Sequence, residues 1–271
     1  FRWHGGLGIL RNTLPVGASN ALGLLSYNCD SLLLGFLSGP HAVGLYNAAY
    51  RPVTALLALP LTYFQGLFPL LSRRHHEDEQ SFSILLKRSL GIAGVMAFPI
   101  GISGMFLGPA ILELLFGPAF GPANAALEIL VWSAVLVILR GSYRQAFIAS
   151  DHQTLDLRCG GISTAFNIGL NILLIPPYGI VGAAVATVIG DGIWLILASM
   201  YCNRYVVRVP LLTHLSKPLA AAIMMGCSFM ALAPFHWIWQ ALVAWFIYLG
   251  LLWLMGEKEV RYWMMTVRAA I

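Results

Sequence analysis

The chain has 271 residues, of which 59% are hydrophobic and only 10% charged, with a formal net charge of +5 and a mean hydropathy of +0.78. Soluble proteins carry about 25% charged residues, and 16 basic plus 11 acidic side chains cannot cover a soluble body of 29.5 kDa. Disorder, which needs low hydrophobicity, is excluded as well, so lipid is the solvent for most of the chain.

The opening, Phe1-Arg2-Trp3-His4-Gly5-Gly6, lacks an ordered n-region, apolar h-region and cleavage site. It reads as the middle of a longer protein. A spanning helix needs about 20 mostly apolar residues, and eight stretches qualify. The first runs from about Thr13 to Leu37 and the second from about Val43 to Leu71. The third covers Leu90 to Leu107 and the fourth Ala125 to Ile148. Gly160 to Ile175 and Ile180 to Tyr201 follow, split by Pro176-Pro177-Tyr178-Gly179. Leu219 to Leu232 and Trp237 to Met255 complete the set. The fold class expected is an all-α polytopic membrane protein. Pro15, Pro52, Pro60, Pro69 and Pro99 fall in or beside spans, where each removes a backbone hydrogen bond and can kink its helix.

Basic residues mark cytoplasmic connections. Arg2 and Arg11 precede the first span, and Arg73, Arg74, Lys87 and Arg88 follow the second. Arg140, Arg144 and Arg158 lie at the end of the fourth span and before the fifth, and Arg204, Arg208 and Lys217 between the sixth and seventh. Lys258, Arg261 and Arg268 come after the eighth. The alternate connections hold no Lys or Arg, so both ends of the chain are expected in the cytoplasm. Of the loops, Gly108 to Pro122 predicts a short interfacial helix at Ile111–Phe116, and Arg73 to Gln80 predicts a solvated mixed-charge loop.

One basic residue, Arg51, stands outside this pattern, inside the second span. A charge there costs at least about 2.5 kcal/mol on insertion scales and usually marks function. Asp30 in the first span lies at similar depth, so an Asp30–Arg51 ion pair is expected, either as a packing device or as part of a site. Asp191 sits near the middle of the sixth span, with Thr187 one turn before it. It is read either as satisfied by a neighbouring polar group or as lining a cavity or coupling to a cation. Beside it, Gly182, Ala186 and Gly190 have the small-xxx-small spacing of close helix contact. Asn167 and Asn171 form a polar stripe in the fifth span; Asn47, Arg51 and Thr54 form another, flanked by Tyr46 and Tyr50. Interhelical hydrogen bonding and ligand contact both remain open for these stripes.

Chemistry of other kinds leaves no trace. Cys29, Cys159, Cys202 and Cys227 show neither disulfide nor zinc spacing, and no metal, cofactor or nucleic-acid motif is present. Hydrolase and phosphate-loop motifs are absent, so no catalytic residue is assigned. A membrane acyltransferase or scaffold is the non-transport reading. No His lies deep in a span, which argues against the acyltransferase.

Three segments carry a family resemblance. Val43-Gly44-Leu45-Tyr46-Asn47-Ala48-Ala49-Tyr50-Arg51-Pro52 is the first. Asn167 to Asn171, leading through Leu174-Ile175-Pro176-Pro177-Tyr178-Gly179 into Gly182-Ala183-Ala184-Val185-Ala186-Thr187, is the second; Leu115-Phe116-Gly117 is the third. Their order and spacing over about residues 10–205 resemble bacterial polysaccharide-export flippases of the multidrug/oligosaccharidyl-lipid/polysaccharide exporter superfamily. The resemblance implies two six-helix lobes around a central cavity and alternating-access transfer of undecaprenyl-pyrophosphate-linked oligosaccharide. Residues 1–205 would be the second lobe, residues 206–271 two additional helices with a short tail, and the first lobe would be absent from this chain. The expected setting is the bacterial cytoplasmic membrane, and the expected partners are lipid, the lipid-linked oligosaccharide, the other lobe, and the polymerase and glycosyltransferases of polysaccharide synthesis. Arg51 matches a motif basic residue facing the cavity, with Asn47, Tyr50, Asn167 and Asn171 beside it as substrate contacts. Asp30 and Asp191 are candidates for ion coupling from burial alone. A multidrug or cation antiporter and a lipid II flippase are the alternatives within the superfamily.

Overall fold

The computed structural model describes residues 3–255; Arg2, Lys258, Arg261 and Arg268, used above to orient the chain, lie outside the described residues. The helices are α1 (Trp3–Leu56), α2 (Ala58–Glu77), α3 (Glu79–Phe116), α4 (Asn124–Ala149), α5 (Gln153–Tyr205), α6 (Leu211–Ala231) and α7 (Trp237–Leu254). A 3₁₀ turn, Pro118–Ala123, joins α3 to α4. By length and apolarity, five described stretches can cross a membrane: Val16–Leu56, Glu79–Phe116, Pro118–Ala149, Gln153–Tyr205 and Trp237–Leu254.

Two of these helices are hairpins. Gly39 has φ 84° and Gly179 φ 54°, a left-handed backbone that glycine adopts without a Cβ penalty. Contacts prove the reversal. Ser31 bonds Asn47 and Tyr46 bonds Asp30, pairs 16 residues apart that would be about 24 Å apart on a straight helix. Likewise Ser163 bonds the carbonyl of Gly190, 27 residues on. Pro40 opens the return arm, at a position where its missing N–H costs nothing. The predicted connections at Ser38–His41 and Pro176–Gly179 are therefore turns pivoting on one glycine each. Counting arms gives eight, in the predicted order: 3–38, 40–77, 79–116, 124–149, 153–178, 180–205, 211–231 and 237–254. The second arm breaks at Leu57, between α1 and α2. Pro60 accounts for the break, since its ring cannot accommodate the carbonyl of Leu56, four residues earlier.

Three expectations change. The mixed-charge stretch 73–80 is helical on both sides of a one-residue turn, rather than a loop. Asp78 adopts extended φ/ψ and caps α3 by accepting from the amides of Gln80 (3.1 Å) and Ser81 (2.8 Å). The Ser81 hydroxyl and these two amides hold the Asp78 carboxyl below its ordinary pKa. Ile111–Phe116 is no separate interfacial helix but the last turns of α3, which ends where Gly117 (φ 84°) donates to Glu113 O at 2.8 Å. Finally, Arg140 lies nine residues inside the end of a continuous α4, about 13 Å deep, and not in a connection.

Packing centres on α4, which touches α1, α2, α3 and α5. Small residues let the backbones close. A Cβ at Gly104 of α3 would strike Val131 of α4, and one at Gly141 of α4 would strike the ring of Phe64. In lipid, where apolar burial does not drive helices together, such close dispersion contact does. The Gly182–Ala186–Gly190 stripe behaves as its spacing predicts: Gly182 sits against the backbone of Leu174, and Gly190 against Asn167. On the far side of α3, Phe106 stacks on Phe229 of α6 at 5.0 Å, and Tyr248 of α7 donates to Val95 O at 3.0 Å. The last two helices thus cover α3, away from α1.

The cap is testable. Asp78→Ala removes the acceptor for two amides of the first turn of α3. Hydrogen exchange at residues 80–82 should accelerate, with exchange in α4 unchanged.

Candidate functional site

Three polar constellations sit inside the bundle, each built where different helical arms meet. The first surrounds Asp30, which is only 1% exposed. Its Oδ2 accepts from Thr187 Oγ1 (2.6 Å) and Tyr46 OH (3.0 Å), and its Oδ1 from Asn171 Nδ2 (2.6 Å). The Asn171 amide also donates to Asn167 O (3.0 Å). The amide oxygens of Asn167 and Asn171 are buried without a hydrogen-bond partner. The Asp30 carboxylate, the Thr187 hydroxyl and Asn167 also line one cavity, and oxygen groups of this kind suit a hard cation. The cluster contains too few acidic, His or Cys side chains for a transition-metal site, and no such group occurs among the described residues.

The second constellation is an ion pair. Arg140 of α4 meets Asp191 of α5, Nη2 to Oδ1, at 3.4 Å. Asp191 Oδ2 accepts from Ser133. The guanidinium lies over Trp194, 3.7 Å from the ring centroid, a cation–π contact strengthened by desolvation. The third holds Asp156, 2% exposed, which pairs with Arg144 at 3.3 Å and accepts from Ser19; Arg144 also donates to Asn20. α1, α4 and α5 are tied together at that point.

Two chambers lie along these groups. One, of about 180 Å³, is lined by Asp30, Tyr50, Asn167, Thr187 and Asp191, with Arg140 and Trp194 as its wall. The other, of about 210 Å³, is lined by Gln65, Arg140, Arg144, Gln145 and Trp194. Spaces of this size accommodate several waters beside polar walls.

Of the residues singled out from sequence, Asp30, Tyr50, Asn167 and Asp191 meet in the first chamber, and Asn171 buttresses Asp30 from behind. Arg51 and Asn47 do not. The expected Asp30–Arg51 pair is absent, and Arg51 is exposed. The reason is angular: Tyr46 points at Asp30, and five residues on, at about 100° each, Arg51 points about 140° away. Hence Tyr46, read only as flanking the polar stripe, and Tyr50, expected as a substrate contact, face inward, while Asn47 bonds Ser31 and Arg51 points out of the bundle. Arg140 and Trp194 were missed. The signal was available, because Arg140 lies inside the predicted span Ala125–Ile148. Counting it among the connection residues hid it.

This architecture, eight helical arms among the described residues with charged groups enclosed between them, is a MATE-like transporter fold. Its fold superimposes on a lipid II flippase, MurJ, in an inward closed conformation, with a TM-score of 0.79 over 95% of this chain and 56% of that one, at 15% identity. Residues 7–75 match the family model described as polysaccharide biosynthesis protein. The chain is 31% identical over 204 residues to the protein named probable flippase AglR of Haloferax volcanii, covering 73% of this chain and 42% of AglR. It is 29% identical over 197 residues to capsular polysaccharide biosynthesis protein CapF of Staphylococcus aureus, covering 71% of this chain and 49% of CapF. The chain is thus similar to flippases and polysaccharide biosynthesis proteins. It spans under half the length of these two relatives.

Removing one partner of a buried ion pair strands the other. Asp191→Asn should cost about 3–5 kcal/mol of stability, and adding Arg140→Gln should recover most of it. Denaturant unfolding in detergent compares the single and double variants.

Proposed function

We propose that this chain forms one lobe of a flippase that carries lipid-linked oligosaccharide across the cytoplasmic membrane by alternating access, for polysaccharide export. Undecaprenyl pyrophosphate is the carrier class this reading favours. The observation that carries it is a charged, oxygen-lined cavity inside an apolar bundle, in a chain 31% identical to a probable flippase over 204 residues. Residues 1–205 correspond in this reading to a six-helix lobe and residues 206–271 to an additional pair, with a second lobe completing the transport path. Polymerase and glycosyltransferases of the same synthesis are the partners it implies. The basic turns face the cytoplasm, and the protein performs no covalent catalysis.

Arg51 has the clearest substrate role in this proposal. An exposed guanidinium in the middle of an apolar helix cannot rest in hydrocarbon, so it faces water or protein beyond this bundle. There it meets the anionic headgroup, with Asn47 on the same side. Tyr50, Asn167 and Asn171 serve the interior. Asp30, held by neutral hydroxyl and amide groups, and Asp191 hold the coupling cation or proton, a common duty of intramembrane carboxylates.

Because Arg51 supports no packing, Arg51→Ala should fold normally. A charge-assisted contact is worth about 1.5–3 kcal/mol, so export should fall roughly tenfold or more. Surface polysaccharide at matched protein level is the readout; unchanged export removes Arg51 from the substrate path.

A further inference from the structure

The two chambers differ in charge. The first is walled by the carboxylates of Asp30 and Asp191 together with hydroxyl and amide groups. The second is lined by Arg140, Arg144, Gln65 and Gln145, and by no carboxylate. Asp191 and Asp156, the counter-ions of these arginines, do not line it. Guanidinium and amide N–H groups are the donors that recognise phosphate. Arg140 and Arg144 stand one helical turn apart on the same face of α4, with Gly141 leaving no side chain between them on the chamber wall.

One residue belongs to both chambers and holds a charge: Arg140. Its link to Asp191 is a single contact of 3.4 Å, long against the 2.7–2.9 Å of strong charge-assisted bonds. Its Nη1 is buried with no hydrogen-bond partner. The guanidinium rests on Trp194, and part of its hydrogen-bonding capacity is unfilled.

We infer that the second chamber is a phosphate-binding subsite formed by Arg140 and Arg144, and that Arg140 links it to the cation chamber by exchanging Asp191 for the bound anion. When a phosphate group draws Arg140 away, Asp191 loses its counter-charge and becomes a second carboxylate for a cation near Asp30. When a cation binds there, it competes with Arg140 for Asp191 and releases the guanidinium to the anion. The two ligands therefore favour each other, and the linkage is reciprocal by thermodynamic necessity. No covalent bond is made or broken. This inference rests on the exporter reading only in taking the anion to be the phosphate headgroup of the cargo.

The test uses the purified protein in nanodiscs, with inorganic pyrophosphate and sodium chloride as probes and choline chloride as the ionic control. Calorimetric titration should show sodium raising pyrophosphate affinity roughly tenfold, within the 5–150-fold range of allosteric couplings, and pyrophosphate raising sodium affinity by the same factor. Arg140→Gln and Arg144→Gln should each weaken pyrophosphate binding, and Arg140→Gln should abolish the sodium effect. Asp191→Asn should keep pyrophosphate binding but make it independent of sodium. The charge-neutral double variant Arg140→Gln/Asp191→Asn, which strands no charge, should fold and show no linkage. Pyrophosphate binding that survives both arginine changes, or linkage that persists in the double variant, overturns the inference, as does a wild-type protein that binds no pyrophosphate. Linkage found in a protein whose Arg51→Ala variant exports normally would leave this inference standing and count against the substrate role of Arg51 alone.

Discussion

An ionised group inside an apolar bundle has no water to solvate it, and this constraint organises the structure. Each buried charge must be met by groups that the bundle itself brings in. Asp30 on the first arm draws Tyr46 from the return arm and Thr187 and Asn171 from both arms of α5. Asp191 takes Ser133 and Arg140 from α4, and Asp156 collects Ser19 from α1 and Arg144 from α4. These sets bind α1, α4 and α5 into one polar half. Any displacement among the three helices strands a charge, so they move as a unit or exchange partners in discrete steps.

The other half holds by different means. α3, α6 and α7 meet through aromatic stacking, apolar packing and the bond from Tyr248 OH to Val95 O at 3.0 Å. Dispersion falls off steeply with distance, which is why glycines at the α3–α4 contact matter. α4 belongs to both halves. One face carries Arg140, Arg144 and Ser133 toward α5, while another packs Leu127 and Val131 on the glycines of α3. A polar network on one side and a close-packed wall on the other let a single helix position a charge without exposing it to lipid.

The register of the hairpins decides which polar side chains meet. The Gly39 pivot sets Tyr46 opposite Asp30 and leaves Arg51, about 1.4 turns further on, facing outward. Depth alone, estimated by counting residues from the turn, put Asp30 and Arg51 side by side. Helical rotation separates them. The same rotation makes Tyr50 a wall of the chamber and turns Arg51 outward, while Arg140 on α4 stays inside.

Much was legible in the sequence because it depends on local composition. Eight apolar runs and their order follow from length and hydropathy, since a helix in lipid must satisfy its own backbone. The turns at Gly39 and Gly179 follow from glycine beside proline, and Asp30, Asn167 and Asp191 follow from the rarity of polar groups in spans. Tertiary structure decided the rest. Which carboxylate pairs with which cation depends on helix rotation and on which helices are neighbours, and neither is written in any one segment. Arg140 shows the limit: four residues from Arg144 near a span end, it looks like a topology signal, and only the arrival of Asp191 and Trp194 from α5 makes it an internal charge.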